Sequence, residues 1–225
     1  MTYRSWWLQA RQAFSPKNPM GQLRIIGGQW KRTPIPVRDA QGLRPTPDRV
    51  RETLFNWLGQ SIPGWTCLDL FAGAGSLGLE AGSRGAARVV FIESDAVAAN
   101  AIAQLIEKLR AGDRLQLVRA RAQDWLARHA EQFDLIFLDP PFGRGLLDQV
   151  LPAVIAHLAP QGRLYIESDH PIDAQWAEKH RMTVLRADKA GAVHYHLLQQ
   201  SAGQGDQQDA ESRIPGDVRP HDPGT

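Results

Sequence analysis

Two short stretches carry residue types whose spacing could do chemistry. The first is Leu138-Asp139-Pro140-Pro141-Phe142, at the end of the apolar run Phe133-Asp134-Leu135-Ile136-Phe137-Leu138. That run has the length and composition of a buried strand. Proline cannot continue a central ladder, so the strand must stop there, and Pro141 holds Pro140 in an extended conformation. In open α/β sheets, ligands bind beyond the carboxyl ends of the strands. Asp139 would there be a hydrogen-bond acceptor, the Pro140 carbonyl a second one held stiffly in place, and Phe142 a flat stacking surface. Taken alone, the same residues fit a strand-to-helix turn equally well, so their neighbours must decide.

The second stretch runs from Asp69 through Leu70, Phe71, Ala72, Gly73, Ala74, Gly75, Ser76 and Leu77 to Gly78. Glycines allow a tight turn and a close backbone approach to a ligand. The pattern Gly73-x-Gly75-x-x-Gly78, with the acidic Glu93 about 20 residues on from Gly73, is the arrangement that holds a nucleotide ribose through its hydroxyls. Nicotinamide-dependent oxidoreductases and S-adenosylmethionine-dependent transferases both use it. Asp69 favours the second, because a carboxylate there can meet the cationic amino-acid part of S-adenosylmethionine. The helix after Gly75 is short and nothing downstream resembles a hydride-transfer site. Asp139-Pro140-Pro141-Phe142 suits methylation of an amine. The seven histidines offer no HxxxH pair, no metal is needed, and Ser76, with Ala74 two positions before it, does not complete a nucleophile elbow.

These stretches need a frame, and the chain supplies one. Its 225 residues, 43% hydrophobic, suit one good-sized domain with appendages. No apolar segment reaches the ~18 residues of a membrane span, and no signal-peptide pattern opens the chain. The single cysteine, Cys67, excludes an internal disulfide framework; a reducing, cytoplasmic setting is expected. The net charge of +2 hides an asymmetry: residues 1–51 hold ten Lys and Arg against Asp39 and Asp48, leaving the remainder at −6. Such a front end suits polyanion binding.

Residues 1–20 read as a flexible extension, with Met20 a second possible start. Residues 21–46 form a basic unit. In it Leu23–Ile26 and Gln29–Arg32 would pair as a hairpin about Gly27-Gly28, followed by a Pro-rich loop. Pro47 or Asp48 opens a helix with Thr46 as N-cap. Val50, Leu54, Phe55, Trp57 and Leu58 form its apolar face, and Arg51 and Glu52 lie toward the other side. Strands at 66–71, 88–93, 115–118, 133–138 and 162–167 then alternate with helices at 75–83, 96–109, 123–130 and 146–158. The alternation predicts a parallel, doubly wound sheet. A short helix at 174–179 and strands at 182–186 and 193–198 add an antiparallel hairpin at one edge, closing a main domain of 47–200. Residues 201–225 are too polar to bury a core and are expected to be disordered.

Asp69–Ala81 (DLFAGAGSLGLEA), Phe91–Asp95 (FIESD) and Leu138–Phe142 (LDPPF) resemble the class I, Rossmann-like methyltransferases of exocyclic amines. More narrowly, Arg24–Trp30 (RIIGGQW) and Leu43–Leu58 (LRPTPDRVRETLFNWL) are similar to the bacterial small-subunit rRNA methyltransferase D family. The resemblance spans about residues 22–200. It implies a mostly parallel seven-stranded sheet with helices on both faces, an antiparallel C-terminal edge strand and an N-terminal β-hairpin. It further implies S-adenosylmethionine-dependent methylation of the N2 amine of a guanine in 16S rRNA, within the small ribosomal subunit or an assembly intermediate. Carried over by position, Asp69, Phe71, Gly73, Gly75 and Glu93 would bind the cofactor. Thr46, Arg49 and Glu52 match the stretch that closes its pocket. Relatives of the fold often carry an acid near the adenine where this chain reads Arg119-Ala120-Arg121-Ala122-Gln123-Asp124. There, backbone near Ala122 and Gln123 would substitute for the acid. Asp139, Pro140 and Phe142 would hold the amine and its base, and Arg24, Trp30, Lys31, Arg32 and Arg144 would contact RNA. A monomer is expected. The competing readings are an adenine-N6 methyltransferase on DNA or RNA and a non-catalytic rRNA-binding assembly factor.

Overall fold

A computed structural model describes residues 23–37, 46–143 and 145–201. The extension at 1–20, the loop at 38–45, Arg144 and the tail from 202 lie outside these. The chain builds α1 (Asp48–Trp57), β1 (Thr66–Asp69), α2 (Ser76–Ser83), β2 (Arg88–Glu93), α3 (Ala96–Lys108), β3 (Leu115–Arg119) and α4 (Ala122–Leu126). It continues with β4 (Phe133–Leu138), α5 (Leu146–Ala156), β5 (Leu158–Ser168), α6 (Ala174–Lys179), β6 (Met182–Ala190) and β7 (Val193–Gln200). The strands form one seven-stranded sheet ordered β3-β2-β1-β4-β5-β7-β6. The first five are parallel, and β7 and β6 add antiparallel at the β5 edge. The chain winds outward from β1 to β3, then returns to β4 on the other side of β1. The switch point that binds ligands in such sheets therefore lies between β1 and β4.

Alternation along the strands divides the core between two faces. Cys67, Val89, Phe91, Leu135 and Phe137 pack with α1, α2 and α3, while Leu68, Val90, Ile92, Ile136 and Leu138 pack with α4, α5 and α6. Both faces are covered, which is why the central strands read as continuous apolar runs. Cys67 is free and fully buried, as expected of a small hydrophobe. Among the described residues, no helix is long and apolar enough to cross a membrane.

The N-terminal segment departs from expectation. The pairing is Ile25 N–H to Thr33 O (2.9 Å), Arg32 N–H to Ile25 O (2.7 Å) and Ile35 N–H to Leu23 O (2.8 Å), with a single bridge, Arg24 to Pro34. Residues 26–32 are thus a wide turn, not a two-residue hairpin about Gly27-Gly28. The glycines serve instead to let this turn press on the end of α2. A Cβ on Gly28, which has φ of 72°, would stand 1.9 Å from the Ser83 carbonyl oxygen. Trp30, expected to stack on RNA, is a core residue. Its backbone N–H donates to Ser83 Oγ at 2.8 Å, its ring abuts Gly82, and its outer face carries the Arg114 guanidinium at 5.0 Å from the ring centroid. Burying a ring of that size stabilises the segment more than leaving it exposed between Lys31 and Arg32.

Helix α1 brings two further corrections. Pro47, not Thr46, is its N-cap, and no side chain caps it. Arg51 points into the protein and is fully buried, not turned outward with Glu52. It donates to Asp48 Oδ1 (2.6 Å), the Arg24 carbonyl (2.9 Å), Glu80 Oε2 (3.3 Å) and the Thr46 carbonyl (3.3 Å). Glu80, equally buried on α2, also accepts from Arg84 Nε (2.6 Å) and from the N–H groups of Ile26 and Gly27, both at 2.8 Å. This network fastens the N-terminal turn and α1 to α2.

Candidate active site

Each strand of the parallel set ends in the same rim, and the chemistry-bearing residues gather there. Asp69 closes β1 and is buried; its Oδ2 accepts the Gly78 N–H at 2.9 Å. Gly78 permits this closeness, because a Cβ there would meet the Phe91 ring at 2.3 Å and Asp69 Oδ2 at 3.0 Å. Gly73 and Gly75 both have positive φ, and Gly75 forms the N-cap of α2 in the left-handed region. Glu93, at the end of β2, clamps the loop: Oε2 accepts the Gly73 N–H at 2.7 Å and Oε1 the Asp95 N–H at 2.6 Å. Asp95 in turn caps α3.

A cavity of about 460 Å³ opens between these loops. Leu70 and Phe71 after β1, Ile92 to Ser94 at the end of β2, Ala120 to Asp124 after β3, and Pro141 and Leu146 after β4 line it. It is a half-apolar slot with one strand-end carboxylate, a size and lining that suit a small organic ligand. Phe71, Glu93, Ala122 and Gln123 are thus brought together. Asp124 borders the cavity as well, so an acid is present after β3 despite the altered local sequence. Asp69, Gly73 and Gly75 are not among the lining residues, although the Gly73 N–H is held by Glu93, which is. Arg49 and Glu52 are exposed on α1, away from its lining; the charge of Arg49 acts on Asp188 of β6. Thr46 is buried, with its hydroxyl donating to Glu167 at 2.8 Å.

Asp139 follows β4 half-buried, with Phe142 43% exposed at the mouth of the site. The rim is acidic. Burial pushes the Asp69 carboxyl up to about 7, with Glu93 and Glu167 adding to the effect against the Gly78 hydrogen bond. Burial, then Glu167 and Asp69, raises Asp139 well above the ordinary carboxylate range, and burial raises Glu167 too. Glu167 is the residue that sequence reasoning missed. Its sequence signal is weak: an acid one residue before the end of β5 is singled out only by its register against Asp139 after β4.

These shifts fix a sign for stability. The buried carboxyls hold more protons in the folded protein than in the unfolded chain, where Asp69 titrates near 4, so their contribution to stability falls as pH rises from about 4 to about 7. His196, pushed down to about 4 by burial, works in the opposite sense over the same range. The carboxyl effect is therefore read as the denaturant midpoint of the wild type minus that of Asp69→Asn, which should decline toward neutrality. A difference rising through that window would contradict the placement of Asp69.

Residues 23–199 match the family model described as Conserved hypothetical protein 95. Ribosomal RNA small subunit methyltransferase D of Escherichia coli K12 is 43% identical over 81% of this chain and 92% of its own. The chain belongs to the ribosomal RNA small subunit methyltransferase D family. The Haemophilus influenzae member is 38% identical over 81% of this chain and 96% of its own length. The solved yhhF structure of Escherichia coli is 41% identical, with a TM-score of 0.69, covering 81% of this chain and all of that one. At 20% identity and a TM-score of 0.57, the precorrin-6y C5,15-methyltransferase of Geobacter metallireducens shares the fold. The methyltransferase D family thus confirms the expected Rossmann-like methyltransferase fold.

Proposed function

We propose that this protein transfers a methyl group from S-adenosylmethionine to the exocyclic N2 amine of a guanine in the 16S rRNA of the small ribosomal subunit. The observation that carries the reading is the meeting of Asp139-Pro140-Pro141-Phe142 with the glycine loop and Glu93 at the switch point of the sheet, in a chain whose relatives are named as small-subunit rRNA methyltransferases. The cavity suits the cofactor: Glu93 can accept from a ribose hydroxyl, Leu70, Ile92 and Leu146 offer flat apolar walls to adenine, and Asp69 with the rest of the acidic rim favours a cation. S-adenosylmethionine supplies an electrophilic methyl on a positively charged sulfur.

The protein's own part is positioning. An exocyclic guanine amine is a weak nucleophile because its lone pair is delocalised into the ring. Asp139 carboxylate and the Pro140 carbonyl each accept one amine N–H, which favours a pyramidal nitrogen with its lone pair turned to the methyl group. Phe142, exposed at the mouth, stacks on the base once it has left the RNA stack. The Asp139 carboxylate can also take the departing proton.

Arg24, Lys31 and Arg32 are exposed on the N-terminal turn and remain the RNA contacts. Replacing all three by Ala should weaken binding to small-subunit RNA and make its affinity less dependent on salt, by about one unit of slope per lost phosphate contact. An unchanged slope would remove the turn from the interface. The function itself is tested by offering labelled S-adenosylmethionine to naked 16S rRNA, assembled small subunits and DNA. Label in ribosomal RNA is the expected result, and label confined to DNA would overturn it.

A further inference from the structure

Glu167 stands beside Asp139 in a way that asks for an explanation. Strands β4 and β5 are parallel with Leu138 opposite Ile166, so Asp139 and Glu167 are the next pair along, at the carboxyl ends of both strands. Glu167 is 4% exposed. Its Oε1 accepts two hydroxyl donors, Thr46 at 2.8 Å and Tyr165 at 2.9 Å, and Thr46 comes from the entrance to α1, 121 residues away in sequence. If accepting these hydroxyls were its whole purpose, a neutral amide would do so without the cost of burying a charge. What the carboxylate adds is a second acid against Asp139. From β1 Asp69 also faces Asp139, with Glu93 behind it on β2, and from β5 come Glu167 and Tyr165, backed by Tyr195 on β7. Among the described residues, no cation offsets Asp139.

We propose that Glu167 is a positioning residue for methyl transfer, anchored by Thr46 and Tyr165 so that its charge governs when the neighbouring Asp139 is ionised. The inference rests on the reading of Asp139 as the amine acceptor. Only the ionised carboxylate accepts both the hydrogen bond and, later, the proton, so the acid limb of the rate profile reports its ionisation. Neighbouring acids titrate as a set, and each resists ionisation of the others. The charge of Glu167 therefore holds that limb at higher pH than Asp139 would show beside a neutral neighbour.

The test is the pH profile of single-turnover methyl transfer to small subunits. Glu167→Gln keeps an acceptor for Thr46 and Tyr165 but removes the charge, and its acid limb should move to lower pH by on the order of one unit. Thr46→Val keeps Glu167 but removes a donor that favours its ionised form, so the limb should move the same way by a smaller amount. It serves as the second measurement if the Gln variant does not fold. A purely structural role would lower melting temperature without moving either limb, and limbs fixed at the wild-type position overturn the proposal. If Asp139→Ala keeps full activity, the assignment of Asp139 fails. If that variant is inactive and the limbs stay fixed, the role of Glu167 alone fails.

Discussion

Asp139→Ala lowers the rate of methyl transfer by roughly a hundred- to ten-thousandfold, the range expected when a positioned acceptor and proton-accepting group is removed. Cofactor affinity stays near wild type, because Glu93 and the loops after β1 and β3 line the cavity while Asp139 lies beyond it. Stability supplies the control. The Asp139 carboxyl is raised above its ordinary range when folded, so at neutral pH its charge opposes folding, and its removal leaves the melting temperature unchanged or higher. Loss of activity with an intact or increased melting temperature is the expected pair of results. A variant that is inactive because it unfolds would not bear on the mechanism, and one with full activity would end it.

The second large effect falls far from the rim. Arg51→Ala removes the central cation of a buried network and leaves Glu80, which is fully buried, with Arg84 as its remaining charged partner. Breaking a buried pair from one side costs about 3–5 kcal/mol. The denaturant midpoint should fall accordingly, and hydrogen exchange should speed up first at the Ile26 and Gly27 amides, which Glu80 holds. An unchanged midpoint would mean that Asp48 and Glu80 are satisfied without Arg51. The same network spends one cation of the basic front end inside the protein, where it is not offered to solvent.

Much of the frame was legible. Strands β2 and β4 and helix α6 begin and end where the sequence pattern places them, because apolar runs there are bounded by charge, proline or a capping aspartate. Strand β5 starts four residues earlier than expected. Pro160-Gln161-Gly162 reads as a turn but is carried as an irregularity against β4, where Gly162 leaves room for the carbonyls of Phe133 and Ala159. Arg51 departs from expectation because a charged residue on a surface helix ordinarily faces solvent. Its spacing with Leu54, Phe55 and Leu58 puts it on the buried face, and only knowledge of a facing Glu80 could justify a cation there. Trp30 shows the converse: Lys31 and Arg32 beside it suggest a nucleic-acid platform, whereas the room for its ring is made by Gly82 on α2, far along the chain. The site divides the same way. Asp139, the glycine loop and Glu93 announce themselves by local motif, while Glu167 acquires meaning only from the β4–β5 register.

The most direct test of the central claim is the identity of the modified nucleoside. Small subunits or 16S rRNA lacking the modification are incubated with the protein and S-adenosylmethionine, digested, and resolved by mass spectrometry. The account predicts N2-methylguanosine at one position, absent with Asp139→Ala. N6-methyladenosine in its place would contradict it.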